Sequence, residues 1–203
     1  MPAISFVLLP GRHHLVTAFQ VARLREILDG EARDEGGVAV DMADGAAIVW
    51  APTSATHHGT RRNPVPANRR EAMIEAASDA AGLISLVAPV PDVRRSPRFA
   101  TTVVRSASLT LGVELDPATT VVACSTPEVA ALYRELGYRI VAVEDSRDPE
   151  PARPWNVLEL AVADATGWRD LVDPAALAYL ERYRLIDLIR TVHTDPTVSA
   201  DGD

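Results

Sequence analysis

Apolar runs and amphipathic stretches alternate along the chain about five times. The apolar runs are short and rich in branched side chains, which is typical of parallel strands buried on both faces. They cover residues 3–9, 46–50, 83–90, 120–123 and 139–143. The stretches with helical spacing of apolar residues cover residues 14–28, 68–81, 96–111, 126–136, 154–164 and 174–190. The Gly- and acid-rich residues 29–44 predict a loop with a short strand at 38–42.

This alternation predicts an α/β fold in one domain. Strands joined by helices form a parallel sheet through right-handed crossovers, with helices on both faces. We therefore expect a doubly wound, mainly parallel sheet of about five strands spanning residues 1–193, followed by a flexible tail at 194–203. In such sheets ligands bind beyond the carboxyl ends of the strands, near the point where strand order reverses.

The twenty basic residues are all arginine, and the chain of 203 residues contains no lysine. Arginine-biased codons of a GC-rich genome explain this absence without any function. The absence nevertheless excludes a Schiff-base lysine and the lysine of a P-loop NTPase. The net charge of −8 argues against a general nucleic-acid binder, which would show a basic face. A bound phosphate would have to be met by arginine, histidine or backbone N–H groups.

Cysteine content and hydropathy indicate the compartment. The single Cys124 excludes an internal disulfide, as expected in a reducing cytoplasm. No apolar run approaches the roughly 20 residues of a membrane span. The apolar N-terminal run lacks a basic segment and a cleavage site, so it predicts a buried strand. We expect a cytoplasmic protein without membrane or nucleic-acid partners, and the sequence leaves a homo-oligomer open.

Imidazole and guanidinium groups concentrate in the loops after the first two strands. Two adjacent histidine pairs follow these strands, and arginines surround them: His13, His14, His57, His58, Arg12, Arg61, Arg62, Arg69 and Arg70. Because both loops end at the same edge of a parallel sheet, the pattern predicts a polyphosphate site. Two unrelated surface loops are the alternative. A protein-held metal is not expected, because the histidines lack i, i+4 spacing and arginines repel a cation; Mg²⁺ would arrive with a nucleotide.

Several motifs occur in the order and spacing of a known family. They are residues 60–64 (TRRNP), 68–74 (NRREAMI), 89–93 (PVPDV), 125–129 (STPEV), 132–138 (LYRELGY) and 167–172 (GWRDLV). Together they resemble nicotinamide mononucleotide (NMN) adenylyltransferases, especially the archaeal type. The resemblance implies a Rossmann-like domain in which ATP and a pyridine mononucleotide meet at the carboxyl edge of the sheet. The mononucleotide phosphate attacks the α-phosphate of ATP, and pyrophosphate leaves.

The resemblance and the loop positions together assign candidate roles. The candidate catalytic residues are His14, placed at the start of the first helix, His13 and Arg12. The candidate nucleotide- and phosphate-binding residues are Gly11, His57, His58, Arg61, Arg62, Arg70 and Ser125. The candidate substrate-binding residues are Asp92, Val93 and Phe99, with Phe99 standing where the family stacks a tryptophan on the nicotinamide ring.

Two signature motifs of the family are altered. H-x-G-H is replaced by Gly11-Arg12-His13-His14, and the S-x-T-x-x-R part of the triphosphate motif I-S-x-T-x-x-R aligns with residues 154–159 (PWNVLE), which end on Glu159. A carboxylate there would repel a β,γ-phosphate. The leading hypothesis is a nucleotidylyltransferase that transfers a nucleotidyl group, expected to be adenylyl, from an NTP to a phosphorylated small molecule such as NMN. The alternatives are a nucleotide- or NAD-binding protein without transferase activity, and a phosphohydrolase that uses His13 or His14 as acid–base.

Overall fold

Five parallel strands form one sheet in the computed structural model, which describes residues 2–92, 96–143 and 153–198. The strands are β1 (Ile4–Gly11), β2 (Met42–Pro52), β3 (Ser85–Val87), β4 (Thr120–Ala123) and β5 (Arg139–Val141). The helices of the described residues are α1 (Ala18–Leu28), α2 (Ala67–Ala81), α3 (Phe99–Leu111), α4 (Pro127–Glu135), α5 (Pro154–Val162), α6 (Trp168–Leu171), α7 (Pro174–Arg182) and α8 (Leu185–Thr194).

The strand order is β3-β2-β1-β4-β5, with every neighbouring pair parallel. The chain winds outward from β1 through β2 and β3, then crosses back to build β4 and β5 on the other side. The predicted α/β, Rossmann-like doubly wound domain is therefore confirmed, and its sheet is parallel throughout. The order reverses between β1 and β4, which places their carboxyl ends at the topological switch point.

Side chains of successive strand residues feed two separate cores. Val7 and Leu9 of β1 lie in a cluster with residues of α1, α2, α5, α7 and α8. Leu8 points to the opposite face, into a cluster formed with α3 and α4. Because both faces are covered, β1 and β4 are apolar at consecutive positions, the pattern from which the strands were predicted.

The first helix begins later than its apolar periodicity predicts. The Thr17 hydroxyl accepts a hydrogen bond from the Gln20 N–H, and the Gln20 side chain accepts one from the Thr17 N–H, each at 3.1 Å. This reciprocal capping box starts α1 at Ala18. The prediction that His14 begins the first helix is therefore wrong: His14 lies in the irregular segment between β1 and α1.

The predicted helix over residues 174–190 is two helices. Arg184 adopts the left-handed conformation, with φ of 53°, between α7 and α8. This turn redirects the chain so that Leu185, Ile186, Ile189 and Val192 of α8 are buried. A uniform helical pattern cannot reveal such a turn, because the apolar spacing continues through it.

Three further bounds differ from the predictions. β2 starts at Met42, inside the predicted loop, and β3 is limited to Ser85–Val87. The short strand predicted at residues 38–42 does not form as a separate strand. Residues 29–41 are held by Arg139 of β5, whose Nε donates to Asp34 Oδ2 at 2.8 Å. Residues 199–203 of the predicted tail lie outside the described residues. Within the described ranges, no helix is both long enough and apolar enough to span a membrane.

Candidate functional site

Two adjoining cavities open at the carboxyl ends of β1 and β4. Their volumes are about 330 Å³ and about 910 Å³, within the roughly 300–1,000 Å³ typical of small-molecule sites. Both are lined by Pro10 and Gly11, which end β1, by Arg12 directly after it, and by Cys124 and Thr126 after β4. The β1 and β4 ends therefore form a shared wall at the switch point of the sheet.

The two cavities differ in the elements that complete them. The smaller cavity extends toward the start of α5, where Pro154, Trp155 and Leu158 line it, and it includes Ser125. The larger cavity extends toward α3 and the loop after β2. Its remaining lining residues are Thr53, Ser54, Arg62, Ser96, Pro97, Phe99, Glu128, Val129 and Leu132. Phe99 thus lies in the larger cavity, half-buried, while Ser125 lies in the smaller one.

His13 is folded back against its own strand. Its Nε2 lies 3.2 Å from the carbonyl oxygen of Leu9, and its ring packs edge-on against Trp50 at 5.1 Å between centroids. A Cβ on Gly11 would approach the His13 ring to 2.9 Å, so the glycine makes room for the imidazole. The His13 imidazole thus packs against β1 and Trp50, and it does not stand in for the first histidine of the resembled H-x-G-H motif.

Burial keeps His13 uncharged at neutral pH. The side chain belongs to a residue that is only 8% exposed, and desolvation lowers its pKa to about 4. The Leu9 carbonyl raises the pKa but does not offset the loss of water, and Arg70 lowers it further. His13 therefore lines the smaller cavity as a neutral ring.

His14 is held by the loop that follows β2. Its Nε2 lies 3.1 Å from the carbonyl oxygen of Arg62. Because a carbonyl only accepts, Nε2 carries the proton and Nδ1 is an acceptor, and Nδ1 is buried without a hydrogen-bond partner among the described residues. Desolvation by burial lowers the pKa of His14 well below its usual value, and Arg70 lowers it further. His14 is also neutral at pH 7.

Arg70 joins the two loops from inside the protein. Its side chain is fully buried and reaches from α2 to three backbone carbonyls. Nη1 donates to the carbonyls of Arg12 and Thr53, both at 2.7 Å, and Nη2 donates to that of Ser54 at 2.9 Å. Burial lowers its pKa to about 10, with Arg12 contributing, so Arg70 remains a cation at pH 7. It is not among the described residues that line either cavity and acts on them through the backbone it holds.

Arg12 and Arg62 bring positive charge to the cavity walls. Arg12 lines both cavities and Arg62 lines the larger one. Arg12 Nη1 also donates to the carbonyl oxygen of Arg62 at 3.1 Å, which ties the two loops at the surface. Since both histidines are neutral, these two guanidinium groups are the permanent cations in the described lining of the cavities.

The second histidine pair lies at the same edge but outside the cavities. His57 Nδ1 pairs with the carboxylate of Asp92, and the Asp92 N–H donates to the Thr56 hydroxyl at 3.2 Å. His58 is exposed, and Arg61 Nη2 donates to the carbonyl of Asp195 at 3.2 Å. None of His57, His58, Arg61 and Asp92 belongs to the described lining of either cavity. Val93 lies outside the described residues.

Trp155 is a site residue that sequence reasoning missed. It stands in the first turn of α5, lines the smaller cavity and is 44% exposed. Its indole Nε1 donates to Glu159 Oε1 at 2.8 Å, one turn along the helix. The available signal was an aromatic residue directly after the proline that opens a helix beyond the last strand. Glu159, which aligns with the arginine of the resembled motif, accepts the hydrogen bond of this indole.

The described residues offer no metal centre of their own. No group of three or more His, Cys, Asp or Glu side chains within the described ranges is arranged to hold an ion. Glu128 is the acidic residue in the described lining of the larger cavity, and the described lining of the smaller cavity contains no carboxylate.

Comparisons with known proteins agree with the fold. No family model matches the sequence, and no curated protein matches it at a significant level. A solved structure that resembles it is a bifunctional NMN adenylyltransferase/ADP-ribose pyrophosphatase from Francisella tularensis, complexed with AMP and a manganese ion. The TM-score is 0.66 at 9% sequence identity, over 93% of this chain and 52% of that chain. The chain spans about half the length of that protein, and at this identity the likeness shows a shared fold alone.

Proposed function

We propose that the protein is a nucleotidylyltransferase that transfers an adenylyl group from ATP to a phosphorylated small molecule such as NMN, with pyrophosphate as the second product. The observation that carries the proposal is the pair of adjoining cavities at the switch point, which share one wall formed by Gly11, Arg12 and Thr126. One substrate in each cavity would bring their reacting groups together at these shared residues, beside the carboxyl ends of β1 and β4. The shared fold with an NMN adenylyltransferase supports the same reaction class.

This reaction requires stabilisation of developing negative charge, and acid–base catalysis is less important to it. A phosphate oxygen of the acceptor forms a bond to the α-phosphorus, while the bond to the bridging oxygen breaks and its electron pair leaves on pyrophosphate. The acceptor phosphate is already anionic, so no base is required. Arg12 and Arg62 neutralise the charge that develops, and the N-terminus of α4 beside Thr126 adds backbone polarity of the same sign. Mg²⁺ enters with the triphosphate as part of the substrate.

The acceptor fits the larger cavity. Phe99 and Arg62 both line this cavity, so a pyridine would stack on the Phe99 ring and the acceptor phosphate would pair with the Arg62 guanidinium. His14 positions the Arg62 loop through its Nε2 hydrogen bond to the Arg62 carbonyl, and His13 packs against β1 and Trp50. Ser125 stands at the end of β4, within the smaller cavity.

The test is an assay for coupled products. The full chain is incubated with ATP, NMN and Mg²⁺, and pyrophosphate and dinucleotide are quantified together, followed by a panel of other NTPs and phosphorylated acceptors. Equimolar formation of both products is expected for at least one pair. Nucleotide binding without turnover, or phosphate release from one substrate alone, would contradict transfer and would favour a binding protein or a phosphohydrolase respectively.

Arg12 provides the first variant. Arg12→Ala is expected to lower kcat/KM by about 100-fold, because a cation shared by both cavities is lost from the transition state. The fold should persist, because Arg70 still holds the Arg12 backbone carbonyl, and the side-chain hydrogen bond to the Arg62 carbonyl that the variant loses is exposed. Arg105→Ala on the exposed face of α3 is the matched control and should retain full activity. Equal activity of the two variants would remove Arg12 from the mechanism.

A further inference from the structure

The smaller cavity contains an exposed indole where a triphosphate motif is expected from the family pattern. Of the three tryptophans, Trp50 and Trp168 are 0% and 1% exposed, whereas Trp155 is 44% exposed. An indole that remains in water loses the free energy that burial would provide. Its position at the cavity wall gives it a surface that a ligand can cover.

The ring of Trp155 is oriented before any ligand arrives. Glu159 accepts the indole N–H at 2.8 Å from the next turn of α5. Val157 and Leu158 of the same helix are buried in the core shared with α8, so the helix that carries both side chains is firmly seated. A pre-oriented aromatic face costs little conformational entropy when it binds a flat partner.

The walls of the cavity favour an uncharged flat group over a triphosphate. Arg12 is the one permanently charged side chain among its described lining residues, and it stands at the boundary with the larger cavity. Leu9, Leu15 and Leu158 supply apolar surface. A triphosphate would bring several negative charges to this single cation, while a heteroaromatic ring needs only apolar walls and a stacking face.

We infer that the smaller cavity is a nucleobase site in which Trp155 is the stacking platform and Glu159 the positioning residue that holds the indole. The inference rests on the proposed function and deepens it: the base of the nucleoside triphosphate lies against α5, and its phosphates extend past Arg12 toward the acceptor in the larger cavity. The start of α5 would then contact the base, whereas the motif in the resembled family contacts the triphosphate.

Tryptophan fluorescence tests the platform directly. The indole of Trp155 is the solvent-exposed emitter of the three, and a stacked base quenches it. Titration of the full chain with AMP or adenosine is expected to quench the long-wavelength part of the emission saturably, whereas inorganic tripolyphosphate should not. Quenching by tripolyphosphate but not by adenosine would overturn the inference, because it would identify a phosphate site.

Calorimetry of AMP binding separates the platform from the surrounding fold. Trp155→Leu is expected to weaken binding by about 5- to 100-fold, the usual effect of removing a base–aromatic stack. Trp155→Phe keeps a ring face and should lose less. The control Tyr183→Leu changes a half-exposed aromatic residue that lies outside the described lining of both cavities, and should leave AMP affinity unchanged.

Glu159 is tested by rescue. Glu159→Leu removes the acceptor of the indole N–H and should weaken AMP binding several-fold, whereas Glu159→Gln retains an acceptor and should restore it. Equal losses in both variants would overturn the positioning role.

The outcome distinguishes this inference from the proposed function. Wild-type AMP affinity and turnover in Trp155→Leu would overturn the base site and leave the transferase proposal standing. Failure of the wild-type protein to bind any nucleotide would overturn both.

Discussion

At the scale of single residues, desolvation decides what the histidines can do. The sequence His13-His14 beside Arg12 has the composition of a cationic anion site. In the folded protein both imidazoles are buried, and loss of water lowers their pKa values more than their carbonyl partners raise them. Positive charge at the cavities therefore comes from guanidinium groups, which stay protonated even when partly buried.

The buried His13 makes stability depend on pH. Its folded pKa of about 4 lies below its usual 6.5, so the unfolded chain binds more protons between these values, and stability falls as pH falls. Urea unfolding should show about 2 kcal/mol lost through His13 between pH 7.5 and pH 5. His14 acts in the same direction.

The matched variant for this prediction is His13→Asn. Asparagine tolerates the left-handed φ of 52° at this position and does not titrate. Its free energy of unfolding should change less between the two pH values than that of the wild-type protein. An identical change in both proteins would show that other groups carry the pH dependence.

At the scale of elements, the site depends on one arginine that connects a helix to two strand ends. Arg70 of α2 satisfies carbonyls of Arg12, which follows β1, and of Thr53 and Ser54, which follow β2. Backbone carbonyls buried beside a sheet edge need such partners. The resemblance assigned Arg70 to phosphate, but the described contacts of its two terminal nitrogens are all with backbone oxygens.

Replacing Arg70 should therefore damage the fold as well as the site. Arg70→Leu leaves three carbonyls without their donor and is expected to lower the free energy of unfolding by about 3 kcal/mol or more. The adjacent Arg69→Leu removes an exposed cation–π contact with Tyr183, 4.5 Å from the ring centroid, and should lower the free energy of unfolding far less. Chemical denaturation of both variants measures the difference. Equal losses would show that the hydrogen bonds of Arg70 to the loop carbonyls add nothing to the free energy of unfolding.

At the scale of the whole molecule, the reversal of strand order creates the crevice. β1 and β4 are neighbours whose connections leave toward opposite faces, so no crossover covers their carboxyl ends. Elements distant in sequence then complete the walls: the α3 start on one side and the α5 start on the other.

Nucleotide binding at this crevice should stabilise the whole domain. A ligand at 100 times its Kd adds about 2.7 kcal/mol to the free energy of unfolding, which corresponds to a rise in Tm of about 5–10 °C for a chain of this size. AMP and ATP are expected to produce this shift in the wild-type protein, and ATP a smaller one in Arg12→Ala. A Tm that no nucleotide raises would contradict nucleotide binding at the crevice.

The sequence alone determined the fold class and the edge at which to search for a site. Strands buried on both faces must be apolar at consecutive positions, and helices must repeat their apolar residues every three to four positions, so both are visible locally. Element ends were less visible, because the Thr17–Gln20 capping box and the turn at Arg184 depend on backbone conformations that periodicity does not record.

Only the tertiary structure decided which of the candidate residues face the cavities. Burial and partner choice are non-local properties: His13 reaches back to Leu9, Arg70 spans two loops, and the second histidine pair lies to one side. For the same reason, the role of Trp155 as a cavity residue is visible only in the tertiary structure, where the start of α5 and the end of β4 line the same cavity. The sequence specified which chemical groups were present at the sheet edge, and packing determined their charge and direction.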